Sequence, residues 1–237
     1  RGAGGMRPTV RRSARGIGIA VPRDAARAVV AAEEGVRKLT DLLVASRNPK
    51  KLAELRRVLD AAGVSGLRLL SLDDVAPFDE APEAGATFEE NALAKAHDGF
   101  VASGLACVAD DSGLAVDALN GMPGVLSARW SGTHGDDAAN TALLLAQLRD
   151  VPAERRSAAF VSACALVSAS GQTVVRGEWS GAIAGAPRGD GGFGYDPVFV
   201  PSGSELSAAE LSPAQKDAAS HRGLALAKLL PALRALA

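Results

Sequence analysis

The chain has 237 residues, 47% of them hydrophobic and 22% charged; this excludes disorder as its main state and allows one large domain or two small ones at roughly 100–200 residues each. No apolar run reaches the ~18 residues of a membrane span, so no membrane partner is expected. The net charge of −1 is uneven, because residues 1–38 hold nine lysines and arginines against three acids while the rest hold 17 against 24; an acidic body argues against nucleic acid as a partner and makes any phosphate recognition local.

Residues 1–23 carry six arginines, no acid and no apolar signal-peptide core. Residues 24–38 read as a short Ala-rich helix. Residues 1–38 are expected to be an extension that is disordered or not part of the fold, and 39–237 to form the domain. LLVAS at 42–46 predicts a buried strand. Asn48 and Pro49 then open a helix as N-cap and first residue, with Leu52, Leu55, Leu59 and Ala62 on its apolar face and Gly63 as its stop. A second strand is expected at 67–71, followed by an acidic, proline-rich loop. Thr87 and Glu90 form a capping box for a helix running to Ser103, stopped by Gly104.

CVADDSGLAVDAL at 107–119 reads as strand, tight turn, strand, and GMPG at 121–124 as a second turn. Residues 136–149 form a Leu-rich helix. SAAFVSACALVS and QTVVRGEWSGAI, split by Ser170 and Gly171, form an antiparallel hairpin. A glycine-rich loop leads to a short strand at 197–200. Ser212, Pro213 and Gln215 repeat the signature of a capped helix. The last helix places Leu226, Leu229, Leu230, Leu233 and Leu236 on its core face. The alternation of helix and strand with one hairpin predicts an α/β fold with a mixed sheet. Cys107 and Cys164 lie in apolar segments without metal-ligand spacing, and read as small buried hydrophobes of a protein in the reducing cytoplasm.

Four stretches carry side chains suited to chemistry. SRNPKK at 46–51 runs from a strand into a helix N-terminus, where backbone N–H groups and the positive dipole end attract anions; an ordinary capped helix with exposed lysines has the same pattern. ADDSGL at 109–114 places two adjacent carboxylates at a strand end. Neighbours on a strand point to opposite faces, so Asp110 and Asp111 should do different jobs, unless they only brace a turn. GDGGFGYDP at 189–197 joins glycines that permit close approach with Phe193 and Tyr195, which can stack on a flat base; incidental loop aromatics are the alternative. Lys216 and Ser220 share a helical face, with His221 and Arg222 at a break before the last helix. His97 and His134 stand alone and are given to structure.

Taken in order, S-x-N-x-x-K at 46–51, TFEENALAKA at 87–96, ADDSGLAVDALNGMPGVLSARW at 109–130, GGFGYDPVF at 191–199 and K-x3-SHRG at 216–223 resemble the inosine triphosphate pyrophosphatase family over most of 39–237. The first loop departs, reading SRN where the family commonly has TGN or SGN. The resemblance implies an elongated mixed sheet flanked by helices, with two lobes, a central nucleotide cleft and usually a homodimer. It implies Mg²⁺-dependent hydrolysis of ITP, dITP and XTP to the monophosphate and pyrophosphate. By motif position, Ser46, Arg47, Asn48, Pro49, Lys50 and Lys51 would meet the phosphates. Lys95 would face them from its helix, and Ser112 would touch the substrate. Glu83 and Asp111 would bind Mg²⁺, with Asp111 as general base. Phe193, Gly194, Tyr195 and Asp196 would hold the base, and Lys216, His221 and Arg222 would close over it. Glu89 and Glu90 fit better as first-turn helix charges. A triphosphate carries about four negative charges, for which Lys51, Lys95, Lys216 and Arg222 are the expected counter-charge. Two other readings stand beside this one. The SRNPKK start also resembles the Maf-like nucleotide pyrophosphatases, and a non-catalytic nucleotide-binding protein could share the fold.

Overall fold

The computed structural model describes residues 39–237 other than 80–81, 213–214 and 217–218. The expected extension at 1–38 and the helix-opening Pro213 lie outside the described residues. The strands β1 (Thr40–Val44), β2 (Leu67–Leu70), β3 (Ala106–Val116), β4 (Ser157–Ser168), β5 (Gly171–Ile183) and β6 (Phe199–Pro201) form one sheet in the order β2-β1-β3-β4-β5-β6. β1 is parallel to both β2 and β3, and the remaining pairs are antiparallel. The mixed sheet is the one expected.

Local signals set most helix ends. α1 (Pro49–Ala61) starts at Asn48, whose side chain accepts the Lys50 N–H, and stops before Gly63 at φ +65. α2 (Phe88–Ser103) is capped by Thr87, which accepts the Glu90 N–H, and closed by Gly104 at φ +69. Only half of the expected capping box forms, because the Glu90 carboxylate takes the Ala86 N–H instead. Glu89 pairs with Arg176 at 3.1 Å, consistent with an exposed helix charge. α3 (Asp137–Gln147) and α4 (His221–Leu236) follow, and Ser212 and Gln215 cap each other as expected.

Three expectations need correction. No turn interrupts 107–116: β3 runs unbroken to Val116, paired with β4 from Cys107↔Val167 to Val116↔Ala158, and the only turn of the stretch is the 3-10 turn over Asp117–Leu119 that follows the strand. Asp110 and Asp111 therefore sit mid-strand, not at a strand end. The short strand expected at 197–200 begins at Phe199, after a single 3-10 turn over Asp196–Val198. His221 and Arg222 are not at a break; with Ser220 as N-cap they open α4 itself.

Alternation along β3 divides the core. Val108, Cys164 and Leu166 pack with Leu55 and Leu59 of α1 and with Leu226, Leu229 and Leu233 of α4. Ala109, Ala163 and Ala165 pack on the opposite face against Phe88, Ala92 and Ala96 of α2. A third cluster around Phe160, Trp179 and Phe199 fills the far end of the sheet beside α3. Burial pushes the thiols of Cys107 and Cys164 up to about 12, so both stay uncharged hydrophobes.

α4 lies directly on β5 at Gly177, where an added Cβ would stand 2.1 Å from the His221 carbonyl oxygen and 2.5 Å from the Ala225 nitrogen. Backbone atoms cannot swing aside as a side chain can. Gly177→Ala should therefore cost about 1–3 kcal/mol and lower the calorimetric midpoint by several degrees. An unchanged midpoint would mean that α4 is not seated this way.

Candidate active site

β1 stops where the chemistry begins. It pairs with β3 only as far as Val44↔Val108, so beyond Val108 no described strand flanks β3 on that side. Asp110 and Asp111 lie in this gap, next to the loop that leaves β1. Chain direction also switches here, since β1 leads outward to β2 and the chain returns across it to β3. Such crevices at the carboxyl ends of parallel strands are where ligands gather in α/β sheets.

On the α1/α4 face, the Asp110 carboxylate meets the Lys51 ammonium at 2.6 Å and the Arg222 guanidinium at 3.4 Å. Burial alone would raise its pKa, but these two cations outweigh burial and hold it down to about 2. Arg222 also donates to the Glu54 carboxylate and to the Lys51 carbonyl at 3.1 Å, so it clamps the first turn of α1 to α4. His221, beside it, stacks on Phe160 with ring centroids 5.3 Å apart. Its burial pushes the imidazole down to about 4, leaving it neutral at pH 7. Ser112 follows on this face and donates to the Ser162 hydroxyl at 2.9 Å.

On the α2 face, Asp111 receives one donor on each oxygen. Asn91 reaches one at 3.0 Å, and Lys95, four residues on along the same helical face, reaches the other at 3.1 Å. The Lys95 ammonium also pairs with Glu83, so one cation is shared by the two carboxylates. Burial works against that charge, but Glu83 and Asp111 outweigh it and raise the Lys95 pKa. Arg129 approaches Glu83 from the far side at 3.5 Å. The structure thus brings Glu83, Lys95 and Asp111 together.

The loop 46–50 satisfies much of its own backbone. Ser46 Oγ accepts the Asn48 N–H, Asn48 Oδ1 accepts the Lys50 N–H, and the Asn48 carbonyl accepts the Lys51 N–H. The N–H cradle expected for an anion is occupied by these caps. Ser46, Arg47, Asn48 and Pro49 line a cleft of about 1010 Å³ whose other wall is the stretch from Leu72 to Phe78; neither Asp111 nor Phe193 faces into it.

The glycine-rich loop behaves differently from its expected role as a four-residue grip on a base. Tyr195 is buried in the core, where its phenol donates to the Ser127 carbonyl at 2.8 Å. The buried Asp196 accepts the Phe193 N–H at 2.8 Å and pairs with Lys216. Gly194 is held through its backbone. Only the Phe193 ring projects, 73% exposed, with the Lys216 ammonium 5.1 Å from its centroid.

Lys51, Lys95, Lys216 and Arg222, the expected counter-charge for a triphosphate, are each paired with a carboxylate in this structure. Sequence reasoning missed Asn91, Glu54 and Arg129. The first two carried a signal: Asn91 is four residues before Lys95 and Glu54 three after Lys51, each on the helix face already singled out. Nothing local marks Arg129.

The Ham1 family model matches residues 42–232 of this chain. Among similar proteins, the "dITP/XTP pyrophosphatase" of Mycolicibacterium paratuberculosis is 78% identical over 200 residues, 84% of this chain and 98% of its own length. The solved structure of a "Nucleoside-triphosphatase / dITP/XTP pyrophosphatase" from Mycobacterium abscessus superposes with a TM-score of 0.73 at 69% identity, covering 82% of this chain and all of that one. The Ham1 protein of Staphylococcus aureus gives a TM-score of 0.76 at 34% identity, covering 83% and 99%.

Proposed function

The chain belongs to the Ham1 family, and from that premise we propose that it hydrolyses dITP, XTP and ITP to the nucleoside monophosphate and pyrophosphate, with Mg²⁺ as cofactor. The observation that carries the metal is the pairing of the cations. A triphosphate brings about four negative charges, while every nearby Lys and Arg of the set is already matched by an acid. The missing positive charge must come with the substrate. Among the described residues no cluster of three or more His, Cys, Asp or Glu could hold a metal. Glu83 and Asp111, however, come close enough to share one cation, now the Lys95 ammonium. Two carboxylates with substrate phosphates completing the shell is the usual donor set for Mg²⁺. When bound there, the ion polarises the phosphoryl oxygens and neutralises charge developing on them.

The chain's own residues do the rest. Asp111 takes the proton of the attacking water, and Asn91 fixes the carboxylate for that task from its other oxygen. Lys51 spends one of its three donors on Asp110, which leaves two for phosphate oxygens. Phe193 offers a stacking face to the base. Arg222 Nε, a donor in every protonation state, is buried without a partner among the described residues. A buried donor left unmade is costly. The O6 acceptor of a 6-oxo purine would satisfy it, whereas the amine of adenine would not.

The test is a panel of ITP, dITP, XTP, GTP and ATP, with Mg²⁺ and with a chelator, reading pyrophosphate against phosphate. Pyrophosphate should be the product, kcat/KM for ITP and XTP should exceed that for ATP by ~100-fold or more, and the chelator should stop turnover. Release of phosphate, or equal use of ATP, would refute this reading; binding without turnover would favour the non-catalytic alternative.

A further inference from the structure

The loop that carries Phe193 is tied down on both sides of the ring. Before the ring's outward turn, Asp196 holds the Phe193 N–H; after it, Tyr195 is anchored through its phenol to Ser127. Between them lies Gly194, at φ +60, a conformation glycine adopts without strain. Its peptide groups are held from outside the motif. Asp137, the first residue of α3, accepts the Gly194 N–H at 2.7 Å, and Thr141, one turn further along, donates to the Gly194 carbonyl at 3.4 Å.

The helix does not need Asp137 as its cap, because Asp136 already accepts the Ala139 N–H at 3.0 Å. Asp137 is also 57 positions from Gly194 in the chain, so the bond is a tertiary tether and not a by-product of local turn geometry. A carboxylate acceptor makes it a charge-assisted hydrogen bond, stronger than a neutral one. We propose that Asp137 is a positioning residue for nucleotide binding: by fixing the peptide that follows Phe193, it holds that ring as a preformed platform for the base. The proposal rests on the reading of Phe193 as the base-stacking residue. Its physical content is preorganisation. Without the tether, binding a base must also order the loop, and that cost appears in affinity and not in the chemical step.

The experiment compares Asp137→Ala, Asp137→Asn and Phe193→Ala on the full chain, with ITP as substrate and inorganic tripolyphosphate as an inhibitor that lacks a base. Asp137→Ala should raise KM for ITP about tenfold, the worth of one hydrogen bond to a charged group, with kcat within about twofold. Asp137→Asn keeps an acceptor oxygen for the Gly194 N–H and should recover most of that loss. The inhibition constant of tripolyphosphate should not move in either variant. A merely structural role for Asp137 as a helix charge would lower the melting midpoint of both variants and leave KM alone. Unchanged KM in Asp137→Ala, equal loss in both variants, or a matching rise for tripolyphosphate would overturn the proposal. If Phe193→Ala raises KM while Asp137→Ala does not, the platform stands and the tether falls. If Phe193→Ala leaves KM unchanged, the platform reading fails and takes the proposal with it.

Discussion

Asp111→Asn is expected to reduce turnover of ITP by ~10³-fold or more, since it removes both a general base and a metal-binding carboxylate, and the first alone contributes 10²–10⁴. The fold should survive the change. Asparagine has the same shape and keeps one oxygen to accept from Asn91, which now reaches Asp111 at 3.0 Å. Lys95 would retain Glu83 as its partner. The midpoint of thermal unfolding should therefore stay within a few degrees of the parent. Formation of pyrophosphate in a quenched single turnover is the measurement, because it is blind to product dissociation. Near-parental turnover would remove Asp111 from the chemistry. A collapse of the midpoint would show instead that its role is to hold β3 against α2.

How much of this was legible in the sequence depends on whether the deciding interaction was local. The Asn48 and Thr87 caps and the Gly104 stop act within one helical turn, and they appear where expected. The hairpin at Ser170 and Gly171 is equally local and correctly placed. The tight turn predicted inside 107–119 does not interrupt β3, and the reason is packing. An added Cβ at Gly113 would sit 2.4 Å from Ser127 Oγ, 2.6 Å from the Gly124 carbonyl oxygen and 2.9 Å from the Phe88 ring. Glycine is needed there because three segments converge on an extended strand, which a single sequence cannot distinguish from a turn glycine. The division of Asp110 and Asp111 between two faces followed from strand periodicity and holds, although their place in the strand did not. The fate of the cations was illegible for a different reason. Lys51, Lys95, Lys216 and Arg222 were found as residues, but their acidic partners come from other elements, up to 168 positions away for Arg222 and Glu54. Charge balance in a site is a tertiary property. Tyr195 shows the same limit: its motif marked it for the base, yet the core claimed the ring and Ser127 the hydroxyl.

Asp110→Asn should have nearly the opposite consequence to the change next door, a loss of stability with a smaller effect on the chemical step. Asp110 is buried, and its carboxylate is the common partner of Lys51 and Arg222. Removing one member of a buried charged set typically costs about 3–5 kcal/mol, because the remaining charges lose their compensation. Glu54 still neutralises Arg222, which places the expected loss at the lower end of that range. Lys51 would no longer be aimed by Asp110, so KM for ITP should rise more than kcat falls. The pH dependence gives a sharper test. In the folded protein the Asp110 carboxyl is held down to about 2, below its ordinary 3.8. A lowered folded pKa contributes stability that is fully present above the unfolded value and is lost as pH falls through the folded one. The stability gap between the parent and Asp110→Asn should accordingly be constant from pH 7 to about 5 and close as pH falls below the ordinary 3.8 toward about 2. Urea midpoints of both proteins at pH 7, 5, 4 and 3 measure it. A gap that stays the same width at pH 3 would mean that Asp110 contributes through shape and not through charge, and the account of Lys51 and Arg222 as its electrostatic partners would fail.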